Sequence, residues 1–145
     1  MADFYAAWFR GFEDGMKQLE QKEKEIIYKQ CARSCADTGV IELYKKLYKD
    51  SDHDLDIFFS RLNELESING GTVISPGKIY EVSFQGCLCD LVTMDYIKSD
   101  DICECSRQSV LYVMETLEPE RVFRVERLTT VLMGDRECRF RITRK

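Results

Sequence analysis

Asp100-Asp101-Ile102-Cys103-Glu104-Cys105-Ser106 opens the helix around which the rest of the chain is arranged. Asp101 followed three residues later by Glu104 has the form of a capping box, with Asp in the Ser/Thr place. Val110, Val113, Met114 and Leu117 then recur at helical spacing, which predicts a helix to about Leu117. Two thiols, Cys103 and Cys105, therefore fall in the first turn. Unpaired N–H groups and the positive end of the helix dipole lower a thiol's pKa there. The carboxylates Asp100, Asp101 and Glu104 push it the other way.

On either side of this helix the hydrophobic period is two. Upstream, Ser75-Pro76-Gly77 is a turn, and Tyr80, Val82 and Phe84 alternate with Glu81 and Ser83. Gln85-Gly86 reads as a second tight turn, so 87–92 is expected to pair back as a strand, with Cys87, Cys89 and Leu91 on one face. Downstream, Val122 to Met133 reads as a long strand and 133–136 as a turn. Cys138, Phe140 and Ile142 then alternate with Arg139, Arg141 and Thr143, which places Cys138 on a buried face.

The first half of the chain has the helical period. Phe4, Trp8, Phe12, Met16 and Leu19 mark one face of a helix, expected to be core. Gly11 and Gly15 weaken that helix, so close packing of a partner helix or a ligand is expected beside them. Residues 18–25 are a charged stretch that reads as a solvated turn or an exposed helix segment. Ile27, Cys31 and Cys35 follow at i, i+4, i+8, which sets both thiols on one side of a helix. Gly39 is its stop signal. Ser51 or Asp52 is expected to cap a further helix carrying Leu55, Phe58, Phe59, Leu62 and Leu65, with 69–71 as its end. The order of helices, hairpin, helix, hairpin predicts one α+β domain over 1–145: N-terminal helices, then two antiparallel hairpins flanking a central helix, with one sheet packed on helices.

Composition narrows the function. The chain has 145 residues and a net charge of -5, with no basic stripe, so nucleic acid is not an expected partner. No apolar run approaches the ~20 residues of a membrane span. The N-terminus lacks the basic flank and apolar core of a signal peptide. A cytoplasmic location follows as the expectation, and disulfides are disfavoured there. Seven cysteines in so short a chain then point to metal, catalysis or buried thiols. Zinc needs about four thiolates, usually from Cys-x2-4-Cys knuckles on loops, whereas Cys-x-Cys here lies within regular elements, so no cofactor is expected and zinc is the alternative. With one histidine, His53, at an exposed helix start, a His-based catalytic arrangement is not expected. A thiol–carboxylate site stays open, with Cys103 or Cys105 as nucleophile and Asp101 or Glu104 as proton carrier. Arg33, between the two helical cysteines, and Arg107, just after Cys105, are candidate anion anchors. Arg124, Arg127, Arg139 and Arg141 could hold a ligand carboxylate bidentately, but their alternation reads rather as a solvated sheet face, with Arg127 in the inward phase of Phe123, Val125 and Val131.

Several motifs together resemble a known group. These are Cys31-Ala32-Arg33-Ser34-Cys35-Ala36, Cys87-Leu88-Cys89, Cys103-Glu104-Cys105-Ser106, Phe123-Arg124-Val125-Glu126 and the run from Gly134-Asp135 through Cys138-Arg139-Phe140 to Ile142. They resemble the 4-vinyl-reductase-like small-molecule-binding domains and, more closely, the L-2-amino-thiazoline-4-carboxylic acid hydrolase-like family. The resemblance implies a ligand pocket between an antiparallel sheet and helices, and hydrolase-like ring opening at a C–N bond of a small heterocycle. Thr130 stands where the vinyl-reductase-like pattern tends to carry a cysteine, which removes one thiol from the metal set of that pattern.

The expectation is thus a small-molecule-binding domain with a pocket lined by Cys31, Arg33, Cys35, Cys87, Cys89, Arg107 and Cys138, leaving room for a homo-oligomer. The alternatives are a non-catalytic ligand or zinc-thiolate sensor, or a structural module whose thiols are buried. Enzyme status stays open.

Overall fold

The computed structural model describes residues 3–65, 68, 70–85 and 89–145. Four helices come first: α1 (Phe4–Met16), α2 (Gln21–Ala36), α3 (Val40–Asp50) and α4 (Leu55–Ser60). The hairpin β1 (Gly70–Ser75) and β2 (Ile79–Phe84) follows, then the short α5 (Asp90–Thr93), the central α6 (Cys103–Leu117), and the hairpin β3 (Phe123–Thr129) and β4 (Cys138–Arg144). The strands form one antiparallel sheet in the order β1-β2-β4-β3. This is the expected α+β arrangement. No helix among the described residues is long and apolar enough to cross a membrane.

The caps fix where the helices begin. Asp3 accepts from the N–H groups of Tyr5 and Ala6 and starts α1. Glu20 and Glu23 form a reciprocal capping box, so α2 begins inside the charged stretch as the exposed helix segment read there. α4 is capped by Asp54, at 2.8 Å from the Asp56 N–H, rather than by Ser51 or Asp52. Asp52 and His53 are held at φ 57° and 56° to turn the chain, and the Ser51 hydroxyl donates back to the Leu47 carbonyl. α4 stops at Ser60, and Gly70 and Gly71 belong to β1 rather than to a helix end.

The first hairpin lies one turn earlier than expected. β1 pairs with β2 around a turn in which Gly77 takes φ 73°. The other edge of β2 pairs with β4, with Phe84 opposite Cys138. Both edges of β2 are therefore occupied, and residues 90–92, expected in a strand paired to it, lie in the short helix α5 with Cys89 as its N-cap residue. Cys87 lies outside the described residues. β3 ends at Thr129 rather than running to Met133, because the buried Thr130 breaks the ladder. Its N–H goes to the Asp135 carboxylate and its hydroxyl accepts from the Met133 N–H, which winds 131–133 into a 3-10 turn.

The inner sheet face, led by Tyr80, Val125, Phe140 and Ile142, packs on α4 and α6 through Phe58, Phe59, Val113 and Met114. Gly71 is required at this seam. A Cβ there would stand 2.9 Å from Leu62 Cδ1 and would run into the Phe59 carbonyl. On the outer face Glu81 is only 5% exposed, gripped by Arg139 and, at 2.9 Å, by Arg141. Two guanidiniums make that buried carboxylate tolerable. These arginines brace the sheet and are not simply solvated.

α1 departs furthest from expectation. Phe9, Phe12 and Met16 pack against the body, in a cluster with Tyr28, Ile97 and Ile102. Phe4 and Trp8, expected in the core, are 79% and 64% exposed. The body covers only one side of the helix, and their side falls outside it.

Candidate functional site: a thiol-lined apolar cavity

α6 starts differently from the capping box expected of it. A 3-10 turn over Asp100–Ile102 precedes it, capped by Ser99, which accepts from the Asp101 N–H at 3.2 Å. Asp101 instead accepts from Lys24 at 3.0 Å. Glu104 is buried and turned along the helix. Its oxygens accept from Arg107 Nε at 2.8 Å, Arg107 Nη2 at 2.7 Å and Gln108 Nε2 at 2.8 Å. Arg107 also donates to the Val125 carbonyl, which ties α6 to β3. Glu104 and Arg107 satisfy one another, and this leaves neither as a proton carrier nor as an anion anchor. Arg33 does not line the cavity; it pairs with Glu115 at 3.7 Å and stacks over the Tyr112 ring at 5.4 Å, with its Nε buried and unpartnered among the described residues.

Between α2, α6 and the inner sheet face lies a cavity of about 440 Å³. Its existence follows from side-chain size. α2 presents Ala32, Cys35 and Ala36, and α6 presents Ser106 and Ser109, where larger residues would fill the space. The opposite wall consists of rings and branched chains: Tyr44, Phe58, Phe59, Val82, Phe84 and Phe140. Five thiols from four places in the chain reach it: Cys35 on α2, Cys89 before α5, Cys103 and Cys105 on α6, and Cys138 on β4. Cys31 is exposed one turn back on α2 and does not line it. Cys35, Val40 and Asp90 are the lining residues that are also exposed, so the opening lies between the end of α2, the start of α3 and the start of α5.

The interior is weakly polar. Cys138 Sγ accepts from the Val131 N–H at 3.4 Å. Burial pushes the Cys105 thiol up to about 12, and the neighbouring thiols Cys31, Cys89 and Cys35 and then Glu104 add to this. Burial likewise pushes the Tyr44 hydroxyl up to about 12. The position of Cys105 at the start of α6 does not offset desolvation, so the direction left open by the sequence is upward. Among the described residues, no three His, Cys, Asp or Glu side chains are arranged to hold a metal ion. His53 lies at the surface with its ring against the edge of Tyr48.

The wall residues were visible in the sequence as apolar periodicity but not as a site. The signal that could have found them is the small-residue spacing, Ala32 with Ala36 and Ser106 with Ser109, set against aromatic strands.

No family model matches the chain, and no curated protein matches it. The resemblance to the hydrolase-like and vinyl-reductase-like groups therefore rests on the short motifs alone. Among solved structures, the chain is similar to a trafficking protein particle complex subunit 3 from Naegleria fowleri, described as covalently bound to palmitic acid. The identity is 16%, the alignment covers 98% of this chain and 93% of that one, and the TM-score is 0.45.

Proposed function

We propose that this domain binds an apolar small molecule in the thiol-lined cavity, and that it holds its ligand rather than transforming it. The observation that carries this reading is the cavity itself. Its volume of about 440 Å³ falls in the ~300–1,000 Å³ range of small-molecule sites. Its interior wall is aromatic and aliphatic, with thiols, two serines, the Tyr44 hydroxyl and Thr130 as the weakly polar groups, and among the described residues Asp90 at the opening is its one charged lining residue. Desolvating an anionic ligand there would cost more than these groups could return. The anion anchors and proton carriers expected from the sequence are paired outside the cavity, Arg107 with Glu104, Arg33 with Glu115 and Asp101 with Lys24. The Cys105 thiol is held in its protonated form at neutral pH, which suits packing against a ligand and not nucleophilic attack. These features favour a binding domain over hydrolase-like ring opening of a carboxylated heterocycle.

The test is equilibrium binding of dodecanol to the full chain by calorimetry, with a small carboxylated thiazoline as the polar comparator. Dodecanol should bind with one molecule per chain, and Val110→Trp, which fills the cavity from α6, should abolish that binding while the folded-state circular dichroism is kept. Preferential binding of the carboxylated ring, or dodecanol binding untouched by Val110→Trp, would reverse the assignment.

A further inference from the structure

Three tyrosines of the fold spend the hydroxyl proton on a carboxylate. Tyr48 donates to Glu118 at 2.8 Å, Tyr80 to Asp56 at 2.7 Å and Tyr112 to Asp37 at 2.7 Å. Tyr44 differs. It lines the cavity from α3, one turn after Val40 at the opening, with its ring 6.4 Å from that of Phe58. Its hydroxyl has no hydrogen-bond partner among the described residues, and burial is what pushes it up to about 12.

A buried donor with nothing to donate to weakens a fold. Phenylalanine would fill the same place without that cost, and the wall already uses it at Phe58, Phe59 and Phe140. The other hydroxyls on the wall have outlets within the chain. Thr130 accepts from the Met133 N–H and shapes the turn after β3. Ser106 and Ser109 lie on α6, where a serine can rotate its proton back to the carbonyl one turn earlier. A tyrosine hydroxyl, at the far end of a rigid ring, has no such local acceptor. Water would satisfy it poorly. A buried water needs about 2–4 polar partners, and this wall offers chiefly thiols, which are weak ones. The acceptor has to come from the ligand.

The chemistry of that acceptor is narrow. Among the described residues, the lining holds no Lys, Arg or His, and Asp90 stands at the opening. A carboxylate would meet a like charge on the way in and no countercharge inside. An amine is protonated at neutral pH and has no lone pair to offer. An alcohol has one, but brings a proton of its own that must also be placed. A carbonyl has lone pairs and brings no proton. We infer that the ligand of this cavity carries a neutral carbonyl, as in a ketone or an ester, on an apolar body, and that the Tyr44 hydroxyl donates to it. This rests on the cavity being the binding site, and adds the class of ligand and the residue that selects it.

The test is calorimetry on the full chain with 2-acetylnaphthalene and 2-ethylnaphthalene, a pair of the same shape in which a carbonyl replaces a methylene. Dodecanol is the reference for the cavity. Tyr44→Phe should weaken binding of the ketone at least about fivefold, because its carbonyl is then buried without a donor. The affinity for 2-ethylnaphthalene should not change. Tm should not fall, since the hydroxyl removed holds nothing in the fold. Equal affinities of wild type and Tyr44→Phe for the ketone would overturn the inference and leave the cavity reading standing. So would a fall for both naphthalenes alike, or a wild type that takes up dodecanol but not the ketone. A lower Tm would give the hydroxyl a structural role and overturn the inference too. A wild type that takes up none of the three would overturn the cavity reading with it.

Discussion

Alkylation of Cys105 is the reaction most sensitive to the character of the cavity. Its thiol is pushed up to about 12 from an ordinary 9.0, chiefly by burial. At pH 7 this leaves about a thousandfold less thiolate than an ordinary thiol carries. A more basic thiolate attacks faster, with a Brønsted slope of ~0.4–0.5, which returns a factor of about 15–30. The net expectation is alkylation about 30- to 60-fold slower than for an unburied thiol, before any hindrance by the wall. The assay is iodoacetamide labelling at neutral pH, stopped at intervals and read for each cysteine by peptide mass spectrometry. Cys31 and Cys35, both exposed, are the internal reference. Cys105 should trail them by more than an order of magnitude, and the gap should narrow as pH is raised. If Cys105 were labelled first, the thiol would be activated, and the nucleophile reading of the sequence would replace the binding one.

Gly71→Ala should destabilise the fold by about 1–3 kcal/mol, because the new methyl meets backbone at Phe59 and the Leu62 side chain; urea denaturation measures it. Arg107→Ala should cost about 3 kcal/mol, the low end for a broken buried pair, since Gln108 still donates to Glu104. That corresponds to a fall in Tm of about 6–12 °C. The Gly77 N–H and then the Tyr80 hydroxyl hold the Asp56 carboxyl below its ordinary 3.8. Its folded pKa is lowered, so its contribution is full above 3.8 and is lost as pH falls through the folded value. Asp56→Asn should therefore be less stable than wild type near neutral pH, with the difference closing on acidification in chemical denaturation at a series of pH values.

What could be read from the sequence was local. The phases of Tyr80, Val82 and Phe84 and of Cys138, Phe140 and Ile142, and the helix ending at Leu117, depend on neighbours a few residues apart, and each has the face expected of it. The pairing of β2 with β4 joins Phe84 to Cys138 across the whole of α6. No local pattern encodes it, and for that reason residues 90–93 form α5 where the end of a strand is expected. Periodicity shows that α1 has an apolar stripe at Phe4 and Trp8, but whether anything covers the stripe is decided by the rest of the fold. Charges failed similarly. Glu104 and Arg107, one turn apart, read equally well as a proton carrier and an anchor, or as a pair closed on each other. The thiols Cys35, Cys89 and Cys138 are expected in a pocket from the sequence and do line the cavity, but its apolar extent is harder to read because the space is left by what is small, Ala32, Ala36, Ser106 and Ser109.

The heat capacity change on dodecanol binding, from calorimetry at several temperatures, probes the cavity most directly. Burial of an apolar chain against an apolar wall should give a negative change, and Val110→Trp should remove the binding heat. A heat capacity change near zero, or heats that survive the filled cavity, would mean that the space between α2, α6 and the sheet is not where this protein meets its ligand.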